Sequence, residues 1–101
     1  MICTLTARRL HPGAYDAFRT AWNPGQGPNR DLLRGWIRIY HCRDVSDTDV
    51  VVSFGLFDGT LEQLRQAQRT LGRESRLNRT AIHVQQVLLD GSYEIIEELA
   101  P

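Results

Sequence analysis

The stretch that decides the fold is VVVSFGLFDGTLEQLRQAQRTLG, residues 50–72, because its hydrophobic period changes partway along. Its first eight residues are rich in β-branched and aromatic side chains, which is typical of a strand. From Thr60 onward the apolar residues stand three or four positions apart, the spacing of one helix face. Thr60 and Gln63 form a capping-box pattern, and Gly72 follows the last periodic leucine. We therefore predict a strand that leads directly into a capped helix, with Leu61, Leu64, Ala67 and Leu71 as its buried stripe.

The N-terminal half predicts a second strand–helix pair and a hairpin. Residues 2–10 alternate as a strand, and the aromatic residues of 14–22 recur at helical spacing. The prolines and glycines of NPGQGP, residues 23–28, must end that helix, and NRDLLRG after them can add one helical turn. Residues 35–43 form the second strand, and the polar loop that follows connects it to the strand of the opening stretch as a hairpin.

The C-terminal quarter completes the pattern. Residues 73–80 continue as a short helix, and residues 81–89 form a fourth strand. After a turn at Asp90-Gly91, we expect a short fifth strand or an arm in YEIIEEL, residues 93–99. The order βα-ββ-αβ predicts one domain over residues 1–101, an α+β ferredoxin-like antiparallel sheet with helices on one face.

Composition excludes several function classes. Twelve arginines, with no lysine, balance twelve acidic residues, so the zero net charge argues against nucleic acid as a partner. No apolar run approaches the roughly 20 residues of a membrane span, and we expect a cytoplasmic protein with no membrane partner. Cys3 and Cys42 have neither disulfide nor metal-ligand spacing, so we expect reduced thiols and no metal.

The direction of side chains on the second strand separates neighbours in sequence. If Ile37 and Ile39 face the helices, alternation places His41 on the same side and Cys42 on the other. The two cannot form a thiolate–imidazole pair within this strand. The face without helices would then carry aromatic and hydrogen-bonding groups typical of a lined cavity. These are Thr4, Thr6, Trp36, Arg38, Tyr40, Phe54, Leu56, His83 and Gln85.

At this point the sequence resembles the antibiotic-biosynthesis-monooxygenase-type members of the dimeric α/β-barrel superfamily. The resemblance covers residues 2–98 and rests on the order and spacing of four motifs. These are HPG before the aromatic helix, RGWIRIY, the opening strand–helix stretch, and the final YEIIEEL. It implies a homodimer whose two sheets face each other to form a dimeric α/β barrel, each enclosing a small-molecule pocket, and a terminal strand that reaches the partner.

The resemblance implies one of two activities. One is oxygenation of electron-rich aromatics, such as quinols or polyketides, without a cofactor. The other is haem degradation. In the family that activity goes with an asparagine on the first strand, a tryptophan at the end of the third strand and a histidine on the second helix. Here Thr6 and Leu56 stand where the asparagine and tryptophan would be, and the second helix has no histidine. The resemblance therefore favours the cofactor-independent monooxygenase, and a dimer that binds a small molecule without turnover is the alternative.

The residues supply a first hypothesis for the site. We expect His83 as a general base, because an imidazole titrates near neutral pH, with Arg38 and Tyr40 stabilising an oxyanion or phenolate. The remaining open-face residues would bind a small aromatic substrate: Thr4, Thr6, Trp36, Phe54, Leu56 and Gln85. Structural roles stay open at four positions. His83 can be a hydrogen-bonded residue at a strand start, Arg38 can pair across a dimer, and Trp36 and Phe54 can pack in an interface.

Arginines also recur along the second helix and its extension, at Arg65, Arg69, Arg73, Arg76 and Arg79. Steps of three and four residues place them on one side, away from the leucine stripe. We expect a solvated face here, neutralised in the dimer by the acidic C-terminal segment.

Overall fold

A computed structural model describes residues 1–22 and 30–101 as a four-stranded antiparallel sheet with helices on one face. The elements in chain order are β1 (Ile2–Leu10), α1 (Tyr15–Trp22), β2 (Trp36–Arg43), β3 (Val50–Phe57), α2 (Leu61–Thr70), α3 (Arg73–Thr80) and β4 (Val84–Glu94). Single 3₁₀ turns cover Arg30–Leu33 and Ala81–His83. The predicted α+β class and ferredoxin-like plan are confirmed. The predicted helix-ending segment 23–28 lies outside the described residues.

The sheet order is β2-β3-β1-β4, so β1 and β3 are the inner strands. β1 pairs with both β3 and β4 over nearly its whole length. Because β3 and β4 both pair with β1, the register of β1 determines which residues of the three strands lie on the same face of the sheet.

β4 differs from the prediction in length. Asp90 and Gly91 were expected to form a turn, but β4 runs through them to Glu94 without a fifth strand. The two residues pair with Thr6 and Leu5 of β1. Backbone pairing with an inner strand outweighs the local turn preference of Asp-Gly, because a turn here would leave those β1 groups without partners. Residues 95–101 have no regular secondary structure, which leaves the alternative of an arm.

The prediction that Thr4 and Thr6 of β1 lie on the face without helices is wrong. Thr4, Thr6 and Arg8 lie toward the helices, and Cys3, Leu5 and Ala7 lie on the open face. Arg8 contacts Trp22 of α1, and the strand opposite Arg8 supplies Val51 to the core beneath that helix. Alternation shows that a strand has two faces, but it does not show which face the helices cover. We had assigned the apolar side of β1 to the helices.

A bulge in β2 changes the direction of Trp36. Trp36 pairs with Phe57 and Arg38 pairs with Leu56, so one extra residue, Ile37, lies between them. Trp36 therefore lies on the helix side and its ring contacts that of Phe57, with 5.1 Å between centroids. Beyond the bulge the predicted directions hold. Ile39 and His41 pair with Gly55 and Ser53 on the helix side, and Arg38, Tyr40 and Cys42 lie on the open face.

The helix layer is held by a small core and a well-formed cap. Leu10, Phe18, Trp22 and Val51 form one buried cluster. At the start of α2 the predicted capping box is present: the Gln63 backbone N–H donates to Thr60 Oγ1 (3.1 Å), and the Thr60 N–H donates to Gln63 Oε1 (2.8 Å).

Gly72 separates α2 from α3 with φ of +72°, a conformation that glycine adopts without strain. The chain therefore changes direction before Arg73, and the predicted arginine row does not continue along one face. Of the predicted leucine stripe, Leu64 is fully buried, whereas Leu61 in the first turn is 45% exposed.

Replacing Leu64 by alanine tests this distribution of burial. We expect Leu64→Ala to lower the free energy of unfolding by about 2–5 kcal/mol, because it leaves a cavity under the helix layer. Leu61→Ala, the matched control on the same helix, should cost less than about 1 kcal/mol because that side chain is already half in water. Urea denaturation followed by circular dichroism measures both. Equal losses would contradict the placement of α2.

Candidate functional site

A cavity of about 280 Å³ lies between the sheet and the helices. Its volume is near the lower end of small-molecule pockets, which suits a ligand of one to three rings. All four strands and all three helices contribute to its lining. The aromatic and ionisable lining residues are Arg8, Trp22, Trp36, His41, Phe54, Arg73, Arg76 and Asp90.

Arg8 is the most deeply buried charged residue of the cavity. It is 3% exposed, and its guanidinium lies over the ring of Trp22 with Cζ 4.8 Å from the centroid. Its Nη1 has no hydrogen-bond partner among the described residues. Burial lowers the pKa of Arg8; the charge of Asp90 opposes that shift, and those of Arg73 and Arg76 add to it. A buried cation is thus held here with little compensation.

Arg76 brings a second guanidinium to the same ring. It projects from α3 with Cζ 5.0 Å from the Trp22 centroid, and its Nε is buried without a partner in the described part of the chain. Burial lowers its pKa, and the charge of Arg79 lowers it further. Two guanidinium groups therefore contact one indole, in an arrangement that cation–π attraction favours and mutual repulsion opposes.

Asp90 is the carboxylate that the described lining offers. Its oxygens accept from Arg73 Nη2 at 3.0 and 3.2 Å, which links β4 to α3 beside the cavity. Both side chains are about two-fifths exposed, so the ion pair itself contributes little to stability. Arg73 holds this carboxylate by hydrogen bonds, and Arg8 is influenced by its charge alone.

His41 is the histidine that lines the cavity. Its Nδ1 lies 3.0 Å from Ser53 Oγ, and its ring meets Trp22 edge-on at 5.4 Å. Part of the residue stays exposed, but the ring atoms against the protein are removed from water. This desolvation lowers the pKa of His41, and the charges of Arg19, Arg76 and Arg8 lower it further. The imidazole is therefore neutral at pH 7 and able to accept a proton.

The structure divides the residues that the sequence predicted for one open-face site. Thr4, Thr6 and Trp36 line the cavity on the helix side, and Phe54 also belongs to its lining although its ring stacks on Tyr40. Arg38, Tyr40, Phe54 and Leu56 have their register positions on the open face, where the Tyr40 and Phe54 rings stack at 4.8 Å. The bulge in β2 and the register of β1 are the physical reasons for this division.

His83 and Gln85 lie at the opposite edge of the sheet from Arg38 and Tyr40. His83 is the last residue of the 3₁₀ turn before β4, and its carbonyl accepts from the backbone N–H of His11 at 3.0 Å. Two strands, β3 and β1, separate β2 from β4. Within one chain the three residues predicted to be catalytic are therefore not brought together.

Sequence reasoning missed Arg8, Trp22, His41 and Arg76 as members of one site. Arg76 was assigned to a solvated face, yet Gly72 starts a new helix direction, and a glycine after the last periodic leucine was the available signal. Arg8 shares its strand face with Thr4 and Thr6, and this polar run on a strand next to an aromatic helix was the signal for a lined cavity.

The described residues include neither a membrane-spanning helix nor a group of side chains placed to bind a metal ion. In residues 1–22 and 30–101 no helix is long and apolar enough to cross a membrane. The same residues contain no group of three or more histidine, cysteine or carboxylate side chains placed to hold a metal ion.

The fold is similar to that of several solved structures. A candidate antibiotic biosynthesis monooxygenase from Deinococcus radiodurans has a TM-score of 0.77 at 12% identity, covering 100% of this chain and 98% of that one. One from Nitrosomonas europaea has a TM-score of 0.75 at 14% identity, covering 96% and 100%. A dimeric ferredoxin-like protein from an uncultured marine organism has a TM-score of 0.77 at 11% identity, covering 99% and 91%.

No protein-family model matches the chain, and neither does any curated protein sequence. The fold expected from the resemblance to antibiotic-biosynthesis-monooxygenase-type proteins is confirmed by these structures. At such low identity the likeness establishes the fold alone.

The titration of His41 tests the electrostatics of the cavity. We expect its pKa, followed by imidazole NMR, to lie below the ordinary value of 6.5. In Arg76→Gln the pKa of His41 should rise, because one of the cations that disfavour the imidazolium is gone. Arg65→Gln, on the outer side of α2, is the control and should leave it unchanged. An unaltered value in Arg76→Gln would contradict the arrangement.

The same shift predicts a pH dependence of stability. Below about 6.5 the unfolded chain protonates His41, whereas the folded chain does so only at lower pH. Stability should therefore fall as the pH decreases through this interval, and His41→Gln should reduce that slope in urea denaturation curves recorded from pH 7.5 to 5.

Proposed function

We propose that the protein is a cofactor-independent monooxygenase that acts, as a homodimer, on an electron-rich aromatic molecule of the quinol or polyketide type. The observation that carries the proposal is a cavity with aromatic walls that His41 lines together with the guanidiniums of Arg8 and Arg76; burial of the imidazole and the charge of these guanidiniums lower the pKa of His41. Such a cavity supplies a proton acceptor and stabilises the anion that proton loss creates. The similar fold of candidate antibiotic biosynthesis monooxygenases supports the same reaction class.

The reaction needs no external reductant when the substrate is an anthrone or a quinol. Loss of a proton from the ring hydroxyl or the acidic methylene gives an anion, which transfers electrons to dioxygen. For an anthrone, the methylene carbon becomes a carbonyl, one oxygen atom stays on the substrate, and the other leaves as water with the two methylene hydrogens. For a quinol, one oxygen atom enters a ring C–H bond, the two ring hydroxyls become carbonyls, and their hydrogens leave with the other oxygen atom as water. The protein then has three tasks: to bind the ring, to accept the first proton, and to stabilise the anion.

Residues of the cavity are suited to each task. We assign proton acceptance to His41. When Nδ1–H donates to Ser53 Oγ, the lone pair of Nε2 is free to take the proton. Arg8 and Arg76 stabilise the resulting negative charge, which is strong in a desolvated setting. Trp22 and Trp36 provide aromatic walls of the cavity against which an aromatic substrate packs.

The residues named from the sequence take two different places in this proposal. Thr4 and Thr6 keep their substrate-binding role, now from the helix side of β1. Arg38 and Tyr40 are assigned to the interface between two copies of the chain. The binding role predicted for Gln85 remains a prediction. The catalytic role predicted for His83 also remains a prediction, and the oxygen-consumption experiment below separates it from the present assignment.

The homodimer in the proposal is supported by the open face of the sheet. This face is apolar and aromatic, and Tyr40, Leu89 and Tyr93 are each more than 40% exposed in the single chain. Beyond β4, Ile96 and Leu99 are 92% and 82% exposed, as expected of an arm that packs on a partner. Large exposed apolar surfaces of this kind mark interfaces, and one structurally similar protein is described as dimeric.

Oxygen consumption with a panel of anthrones and hydroquinones tests the activity. We expect His41→Gln to lower kcat by about 10²-fold or more, the usual contribution of a general base. His11→Gln, at the surface turn after β1, should retain the wild-type rate. Loss of activity in His83→Ala with retention in His41→Gln would instead favour the site predicted from sequence. Ligand binding without oxygen uptake across the panel would contradict the monooxygenase and leave a binding protein.

The oligomeric state has its own test. We expect the wild-type protein to sediment at twice its 11.5 kDa chain mass. Leu5→Glu places a charge at the centre of the open face and should shift the protein toward monomer, because an unpaired charge is costly in an apolar interface. Leu61→Glu, on the exposed first turn of α2, is the matched control and should remain dimeric. A monomeric wild-type protein would remove the homodimer from the proposal.

A further inference from the structure

Three buried side-chain donors in the described part of the chain have no hydrogen-bond partner: Arg8 Nη1, Trp36 Nε1 and Arg76 Nε. They come from three different elements, β1, β2 and α3, and all three residues line the same cavity. Buried donors are almost always paired in native proteins, because an unmade hydrogen bond in a desolvated place is costly. Three such donors around one cavity indicate that a bound molecule supplies their acceptors.

The charge of the cavity points in the same direction. Its described lining holds three arginines and one carboxylate, and that carboxylate is paired with Arg73. Arg8 and Arg76 lie within 5.0 Å of the centroid of one indole, both largely removed from water. Buried cations whose charge is only partly compensated are costly, and an anion held beside the guanidiniums offsets that cost.

The identity of the donors restricts the ligand. A guanidinium and an indole N–H donate hydrogen bonds and do not accept them, so the matching group must offer acceptors. A carboxylate offers two oxygens with about four lone-pair directions and a full negative charge, and it fits the planar fork of arginine. A neutral hydroxyl or carbonyl can accept a hydrogen bond but compensates neither guanidinium charge, whereas one carboxylate lowers the summed charge of the pair from +2 to +1. The walls formed by Trp22 and Trp36 suit a flat ring attached to that group.

We propose that the cavity selects aromatic molecules that carry a carboxylate, held by Arg8, Arg76 and the indole N–H of Trp36. The inference rests on the proposed function for the identification of this ligand as the substrate, and it adds the group by which substrates are distinguished. The carboxylate is a binding group that stays unchanged in the reaction. The arginines therefore recognise the substrate before the proton is removed as well as stabilising the anion afterwards.

The exposed arginines of α2 do not form a comparable site. Arg65 and Arg69 are exposed, and Arg69 already donates to Gln66 Oε1 at 2.7 Å. Arginines of this kind are hydrated in the absence of a ligand, and nothing buried near them lacks a partner in the described residues. Arg65 therefore provides a control that carries the same charge on the same helical layer without facing the cavity.

Binding is tested with two probes of the same shape, 2-naphthoate and 2-naphthamide, by isothermal titration calorimetry. We expect the carboxylate to bind at least about tenfold more tightly than the amide, because charge-assisted bonds to arginine are lost in the amide. Arg76→Gln should reduce the preference to less than about threefold, whereas Arg65→Gln should retain it. Equal affinity of the two probes for the wild-type protein, or an undiminished preference in Arg76→Gln, would overturn the proposal.

A measurement on the wild-type protein avoids dependence on a variant that fails to fold. Because Arg8 and Arg76 both lower the pKa of His41, an anion bound between them should raise it. Saturation with 2-naphthoate is expected to move the imidazole NMR titration to higher pH, and 2-naphthamide is expected to leave it in place. No movement with bound naphthoate would contradict this position of the carboxylate. Displacement of naphthoate by equimolar inorganic phosphate would show an unselective anion site and overturn the proposal.

Oxygen uptake separates this inference from the function on which it rests. We compare hydroquinone with 2,5-dihydroxybenzoate, which carries the same quinol and a carboxylate. Uptake with both at equal kcat/KM would overturn the carboxylate selectivity and support the monooxygenase. Selective naphthoate binding without uptake for any substrate of the panel would support the carboxylate site and overturn the monooxygenase. Preferred uptake with 2,5-dihydroxybenzoate supports both.

Discussion

The burial of Arg8 beneath the helix layer is the constraint on which the rest of this structure depends. β1 is paired on both sides, so the direction of Arg8 cannot change without shifting β3 and β4 as well. Its guanidinium is held against Trp22, and Arg76 of α3 contacts the same ring. A layer packed around two cations cannot close like an apolar core, because each cation repels the other and retains unpaired donors. The result is a cavity instead of a filled interior.

The cavity also organises the electrostatics of its neighbours. His41 lies within the field of the same arginines, and its partial desolvation keeps the imidazole neutral. A neutral base and a positive field favour the same event, the conversion of a weakly acidic ligand into an anion. Asp90 is paired with Arg73, and its charge opposes the burial cost of Arg8 only in part. The proposed binding and the proposed chemistry therefore both depend on the positive charge of Arg8 and Arg76.

The two faces of the sheet carry different kinds of side chain. The helix side of β1, Thr4, Thr6 and Arg8, lines the cavity, whereas the other side of the same strand presents Cys3, Leu5 and Ala7 to the open face. The open face gathers aliphatic and aromatic groups, including the stacked Tyr40 and Phe54. A small domain leaves much apolar surface uncovered, and association of two copies is a common way to bury it. The cavity and the proposed interface consequently lie on opposite faces of the sheet.

The amino-acid pattern by itself determined the strands, the helices, the capping box at Thr60 and the ferredoxin-like order, because hydrophobic period, caps and glycines act over a few residues. It also separated His41 from Cys42, since alternation within a strand is local. Only the tertiary structure decided which face of β1 the helices cover, that a bulge turns Trp36 inward, and that Asp90-Gly91 continues as strand. Each of these is settled by pairing with a distant segment, whose hydrogen bonds outweigh local preference. The convergence of Arg8, Arg76, Trp22 and His41 is of the same kind, for these residues meet only when four separate elements pack together.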